Sequence, residues 1–521
     1  MIAMQELLSL TPFLTSLIAF LLVSPIIIYL LKPKTHGLPP GPPALPVIGN
    51  LHLLKPPMHR TLHDLTTRYG PLIHLRLGSS LCLATGSVDM AREVLKNHDT
   101  SFSERPSTVA ARKFAYETAG FAFAPYGEYW RFVKRLCMSE LLGPRTLEQL
   151  HPIRQSEVAV LLRGLLENSR TGKAVNLSEE LMKLTNNIIT RMVASSTAGD
   201  EADVSRRVVK QVADLMGTFN AEDYIGFLRG LNIQGLNKKM REVHRNFDNL
   251  LEGFITAKEK SRNKVLEQGS GEAKETPVRD LLDILLDVAG DPTAEVKITR
   301  ENIKGFILDI FTAGSDSSAA TIEWTLSELI NHPNIMQKLR EEIDRVIGRD
   351  RVVGEADVPN LPYLNAVVKE ILRLHPAAPI VYRISTKETI IAGYTIPTNT
   401  TVAVNLYSTG RDPKYWVDPD EFRPERFFEE SNANLGIKGL HYQLIPFGSG
   451  RRVCPGIGFA LQVVPAALAA LVQCFEWKID EGTANENGKL DMQEGHGGLV
   501  SYRAKPLVVV PIPRLDPFPL N

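Results

Sequence analysis

The segment Phe447-Gly-Ser-Gly-Arg-Arg-Val-Cys-Pro-Gly456 constrains this chain more than any other, because its residue types belong together only around a working sulfur. A thiolate needs positive charge and backbone N–H donors nearby, or it takes up a proton. Gly448, Gly450 and Gly456 let the backbone wrap closely round Cys454 in conformations closed to other residues. A helix reads from about Gly456 to Cys474, so Cys454 stands at a helix start, where the dipole favours an anion. Arg452 can meet a carboxylate at the rim. The alternative is a buried, inert cysteine in a glycine-rich turn. There are only 4 cysteines. The others, Cys82, Cys137 and Cys474, lie far apart with no C-x-x-C pair, which argues against a zinc cage or a disulfide framework and for a reducing compartment.

Leu7 to Leu31 carries no charge and is long enough to span a membrane as a helix. Lys32 and Lys34 follow it, while only Glu6 precedes it, so positive-inside bias places everything after Lys32 in the cytosol. A cleaved signal peptide is the alternative, but its apolar core is shorter and ends in a small-residue cleavage site. The expected layout is a membrane anchor over 1–34, a proline-rich hinge over 35–50 and a catalytic body over 51–521. Gly37 to Pro46 is too rich in proline for helix and reads as stiff and extended. Formal net charge is zero, so nothing asks for nucleic acid as partner.

In the body, Ile73, Leu75 and Leu77 alternate with His74 and Arg76, predicting a strand. Gly78-Ser-Ser80 predicts a turn, Leu81–Thr85 a second strand, and Ser87 a cap for a helix to about Asn97. Residues from about 125 to 260 read as largely helical, and 267–276 as a polar loop. Thr299 is placed to cap a long helix ending near Asn331, before His332-Pro333. Another helix spans about Tyr363 to His375, and short strands follow around Thr389–Ile396 and Thr401–Leu406. The fold class is mainly α with small β-sheets.

The cysteine segment resembles the haem-binding loop of the cytochrome P-450 superfamily, F-x-x-G-x-R-x-C-x-G, at every fixed position. The resemblance implies haem b with Cys454 as the axial thiolate, Phe447 shielding the sulfur and Arg452 on a haem propionate. It implies a cytochrome P-450 fold behind an N-terminal transmembrane anchor. Glu370-Ile-Leu-Arg373 is similar to the family's E-x-x-R, with Arg426 of Pro424-Glu-Arg-Phe427 as its structural third member. Trp130 resembles the tryptophan of W-x-x-x-R, with Lys134 where the arginine stands, and His375 and Arg383 match positions that reach the other propionate. Arg131, Lys134 and Arg135 read either as a solvated face or as a docking patch for an acidic reductase.

Ala313-Gly-Ser-Asp-Ser-Ser318 resembles the family's A/G-G-x-D/E-T-T/S. The resemblance implies that Gly314 makes room for O2, Asp316 feeds protons through water, and a hydroxyl at Ser317 orders that water. Serine stands where threonine is usual and lacks the methyl that restricts χ1. Leu38–Pro42, Phe121–Trp130 and Ala460–Pro465 resemble a plant microsomal branch of flavone synthases, flavanone 2-hydroxylases, isoflavone synthases and pterocarpan hydroxylases, with a relative that oxidises triterpenes. Matching substrate segments supply Phe114, Phe121, Phe123, Ile380, Val381 and Leu499 as walls, with Tyr116, Thr118 and Tyr382 as hydrogen-bonding groups.

The expected activity is NADPH-dependent oxidation of a flavonoid-like phenolic at the endoplasmic reticulum membrane. No nicotinamide or flavin motif is present, so electrons come through a separate NADPH-cytochrome reductase, with cytochrome b5 as a second donor. An O2-independent isomerase or dehydratase is the rival among enzymes, and a haem carrier or gas sensor the rival outside them. Asp316 and Ser317 count against both.

Overall fold

The alternation at Ile73–Leu77 produces β1 (Leu72–Leu77), which turns at Gly78 into β2 (Ser80–Thr85) and pairs with it antiparallel, Ile73 opposite Ala84. The computed structural model describes residues 37–195, 200–267, 279–480, 482–495 and 498–519. The proposed anchor and most of the polar loop at 267–276 lie outside the described residues. Of the proline-rich stretch, residues 37–50 are described. Residues 38–44 form neither helix nor strand, 45–49 close a tight turn through paired Leu45–Gly49 backbone bonds, and the stretch is strapped to the body: His74 N donates to Pro40 O at 2.9 Å, His74 Nδ1 meets Pro39 O at 2.7 Å, and Asn50 Nδ2 donates to Pro43 O at 3.0 Å. A side chain at Gly41 would fall 2.2 Å from His74 O, so only glycine allows this approach.

Helices carry most of the body. In chain order they include α1 (Met58–Tyr69), α2 (Val109–Phe114), α3 (Glu128–Leu136), α4 (Leu177–Ala194), α5 (Asp200–Met216) and α6 (Leu236–Glu267). Then come α7 (Arg300–Asn331), α8 (Pro362–Leu374), and α9 (Ile457–Cys474). Ser87 caps its helix by accepting from Met90 N. Thr299 caps α7 in a reciprocal pair with Asn302, and α7 stops at His332 before Pro333. That helix is buried on nearly all sides and runs through the core between α4 and α9. α9 is apolar enough to cross a membrane, yet 72% of it is buried inside the body, so it is a core helix.

Between α8 and α9, β3 (Ile380–Ile384) and β4 (Thr401–Asn405) complete a four-stranded sheet in the order β1-β2-β4-β3. β4 runs parallel to β2 and antiparallel to β3, with Arg383 opposite Val402. A three-stranded and a two-stranded sheet complete the described strands. The mainly helical class with small sheets is as expected.

Candidate active site

Cys454 N donates to Phe447 O at 3.0 Å, which closes the glycine-rich loop on itself. Gly448 and Gly450 take positive φ, 72° and 73°. At Gly450 a side chain would also meet Leu95 O at 2.4 Å and Asp99 Oδ1 at 2.7 Å. Asp99 in turn accepts from Arg451 Nε at 3.0 Å. The Gly456 N–H points at the Cys454 sulfur, and Lys134 Nζ donates to Val453 O at 2.6 Å. Burial pushes the Cys454 thiol up, while the Gly456 N–H, Lys134 and Arg105 draw it back. Cys82, Cys137 and Cys474 are buried, and burial pushes their thiols up to about 12, which disfavours the thiolate. Cys454 alone keeps open surface.

Beside it lies an excess of positive charge, with Arg383 and Arg452 buried and Arg105 half-buried. Arg383 is driven down to about 9 by burial and then by Arg105 and Arg452, and Arg452 to about 10 by burial and then Arg105. Arg105 is lowered by burial, with Asp309 and Cys454 as its countercharges. Arg452 spends its donors on carbonyls, Nε on Ser103 O at 2.8 Å and Nη2 on Ala124 O at 2.6 Å, and its nearest carboxylate, Glu104, is 3.8 Å away. Three guanidinium groups this close destabilise one another unless an anion joins them. A group with two carboxylates and a metal for the Cys454 sulfur, which describes haem, fits this donor set. Arg105, Arg383 and Arg452 would hold its propionates. Arg105 was not legible in the sequence, since an arginine before Pro106 carries no local signal.

Several expected contacts fall elsewhere. His375 Nε2 lies 2.8 Å from Glu328, with its ring stacked on Trp324 at 4.2 Å. Glu328 is about 28 Å along α7 from Asp309, the neighbour of Arg105, so His375 belongs to a separate buried charge cluster and not to the propionate site. Lys134 holds the cysteine loop through Val453 O. Trp130 Nε1 donates to Phe121 O at 3.1 Å, while its ring lies under Arg452 at 4.5 Å. Strand parity splits the predicted wall at β3. Val381 shares a face with Arg383, whereas Ile380 and Tyr382 point to the other face, where Tyr382 contacts Met58. Phe114 has no exposed surface and is core. Tyr116 is committed to Asp248 at 2.9 Å. Phe121 and Phe123 are half-buried, and Leu499 is 48% exposed beside the end of α5.

The family model for Cytochrome P450 matches residues 39–503. This chain belongs to the cytochrome P450 family. Cytochrome P450 93G1 of rice (Oryza sativa subsp. japonica) is 52% identical over 92% of this chain and 91% of its own. The 3,9-dihydroxypterocarpan 6A-monooxygenase of Glycine max is 46% identical over 94% of this chain and 95% of its own. Among solved structures, a zebrafish cytochrome P450 with progesterone superposes with a TM-score of 0.70 at 26% identity, covering 88% of this chain and 100% of that one. The chain is therefore a P450 monooxygenase, and its haem-thiolate iron supplies the chemistry of oxygen activation when bound. As such it takes electrons from a redox partner and acts on a small molecule.

In this P450 the E-x-x-R pair is fully buried. Arg373 grips Glu370 through two bonds of 2.8 Å, and Arg426 Nε donates to the same carboxylate at 2.9 Å. The two arginines then fan out to the carbonyls of Gly410, Val417, Asp418, Pro419 and Glu421, fixing the irregular stretch before the cysteine loop. On α7, Asp316 is 6% exposed and pushed up to about 6 by burial, partly offset by Tyr502 and Lys210. The Tyr502 hydroxyl faces Asp316 but closes no full hydrogen bond with it or any other described group. Ser317 Oγ donates to Ala313 O at 2.6 Å, leaving the oxygen lone pairs free to accept. A side chain at Gly314 would strike Ile189 Cδ1 at 2.8 Å, so this glycine lets α4 pack against α7.

Proposed function

We propose that the chain is a membrane-anchored, NADPH-dependent monooxygenase of flavonoid-type phenolics. The observation that carries the substrate class is the resemblance, across nearly the whole chain, to an enzyme named for oxidising a dihydroxypterocarpan. The aromatic wall agrees with it: Phe121 lies 5.8 Å from Phe306 of α7, and Phe123 is close by in sequence, giving flat apolar surface for a phenolic ring.

In this reading the Cys454 thiolate would hold the haem iron, Phe447 would shield the sulfur, and Arg105, Arg383 and Arg452 would hold the propionates. Gly450 and Gly456 shape the loop round the sulfur. Asp316 passes protons inward through water, and Ser317 accepts a hydrogen bond from that water and holds it in line. One oxygen atom enters the substrate and the other leaves as water, using two protons and the two electrons of NADPH. A separate NADPH-cytochrome reductase delivers those electrons, with cytochrome b5 as a second donor. The 1–34 anchor holds the enzyme on the endoplasmic reticulum, with its body in the cytosol.

Binding and turnover of a ligand panel by the haem-loaded protein test the substrate class. Naringenin-type flavanones or isoflavonoids should shift the ferric spectrum towards high spin, and at least one should be converted with reductase and NADPH. If the flavonoids gave neither shift nor product while a triterpene gave both, the substrate assignment would be wrong.

A further inference from the structure

The segment 116–124 is fastened to α7 along a single stripe. Asn302, Gly305 and Asp309 recur at helical spacing and share one face. Asn302 Nδ2 donates to Ala119 O at 3.0 Å. Gly120 and Gly305 touch backbone to backbone: a side chain on Gly305 would fall 2.5 Å from Gly120 N, and one on Gly120 would fall 2.4 Å from Asp309 Oδ2. Asp309, only 4% exposed, accepts from Ala122 N at 2.9 Å and from the Phe121 N–H. The opposite edge of the same segment is held through its carbonyls, with Phe121 O taking Trp130 Nε1 and Ala124 O taking Arg452.

This fastening works against backbone strain. Tyr116, Glu117 and Thr118 all sit at positive φ, 48°, 54° and 81°. Side-chain-bearing residues rarely adopt that region, and a run of them persists only where the surroundings enforce it. The chemistry assigned to this protein uses neither of the two glycines, and Asp309 enters it only as a countercharge of Arg105.

We infer that Asp309 is a positioning residue, which together with the Gly120–Gly305 contact latches the segment closed and so fixes Phe121 and Phe123 as the wall that selects flat aromatic substrates. The identity of the substrate rests on the flavonoid reading above; the latch does not. A carboxyl accepts an N–H bond in either protonation state, so the latch needs no titration.

Three variants of the full-length, haem-loaded protein test it: Asp309→Val, Gly305→Ala and Asp309→Asn. Amide hydrogen exchange across 116–124 should rise on the order of tenfold in the first two, because local opening becomes easier. It should stay near wild type in Asp309→Asn, whose amide oxygen still accepts. Naringenin binding, read from the ferric spin shift, should weaken by about tenfold in the first two variants with KM rising more than kcat falls. In Gly305→Ala, which leaves the charges round Arg105 intact, imidazole, which needs no aromatic wall, should bind as it does to wild type. Unchanged exchange in both Asp309→Val and Gly305→Ala would overturn the latch, as would imidazole binding weakened as much as naringenin binding in Gly305→Ala. If wild type failed to bind any flavonoid, the substrate reading would fall, and the exchange result alone would decide the latch.

Discussion

The proton-handling role proposed for Asp316 comes with a cost that can be measured. Burial raises its carboxyl to about 6, so folding penalises the charged form. The stability present below the ordinary carboxylate range is lost as pH rises through about 6. Asp316→Asn removes that penalty and should therefore gain on wild type as pH rises, by roughly 2–3 kcal/mol between about pH 4 and pH 8. Denaturant unfolding of both proteins across that range measures it; a gap independent of pH would contradict the assignment. The same variant should lose product formation by about a hundredfold, the usual effect of removing a positioned proton donor. Cys454 and Asp316 were legible because each sits in a short string with its helpers beside it. Tyr502 and Asp309 do their work from distant segments, so no local pattern marks them, and the sequence gives an arginine such as Arg105 no pairing partner to suggest its place.

Elements with local signals matched their reading closely. Thr299 and His332-Pro333 bound α7 because caps and prolines act on adjacent backbone. Ile380, Val381 and Tyr382 do not form one wall, because a strand shows alternate residues to opposite faces. The irregular stretch before the cysteine loop has no period to read; Glu370, Arg373 and Arg426 set its path through carbonyl contacts instead. Glu370→Ala would leave two buried guanidinium groups and the Arg423 N–H without their acceptor. A loss of about 3–5 kcal/mol is expected, and folded holoprotein should disappear from expression trials. A well-folded, haem-loaded but inactive Glu370→Ala would instead give Glu370 a part in the chemistry.

On the scale of the whole molecule, the strapped proline segment ties the sequence that follows the proposed anchor to the β1 sheet. Removing residues 1–34 should release much of the protein from membranes and leave haem incorporation intact; full-length protein found soluble after fractionation would refute the anchor. The basic trio of α3 divides in the fold, with Lys134 turned to the cysteine loop while Arg131 and Arg135 stay exposed. The central claim is that one sulfur, Cys454, held by its loop beside a buried arginine cluster, carries the haem of this monooxygenase. Difference spectra of the reduced protein with carbon monoxide test it most directly. Wild type should show the red-shifted Soret band of thiolate ligation, and Cys454→Ser should lose it while Cys82→Ser, Cys137→Ser and Cys474→Ser keep it. Retention of that band in Cys454→Ser would contradict the account.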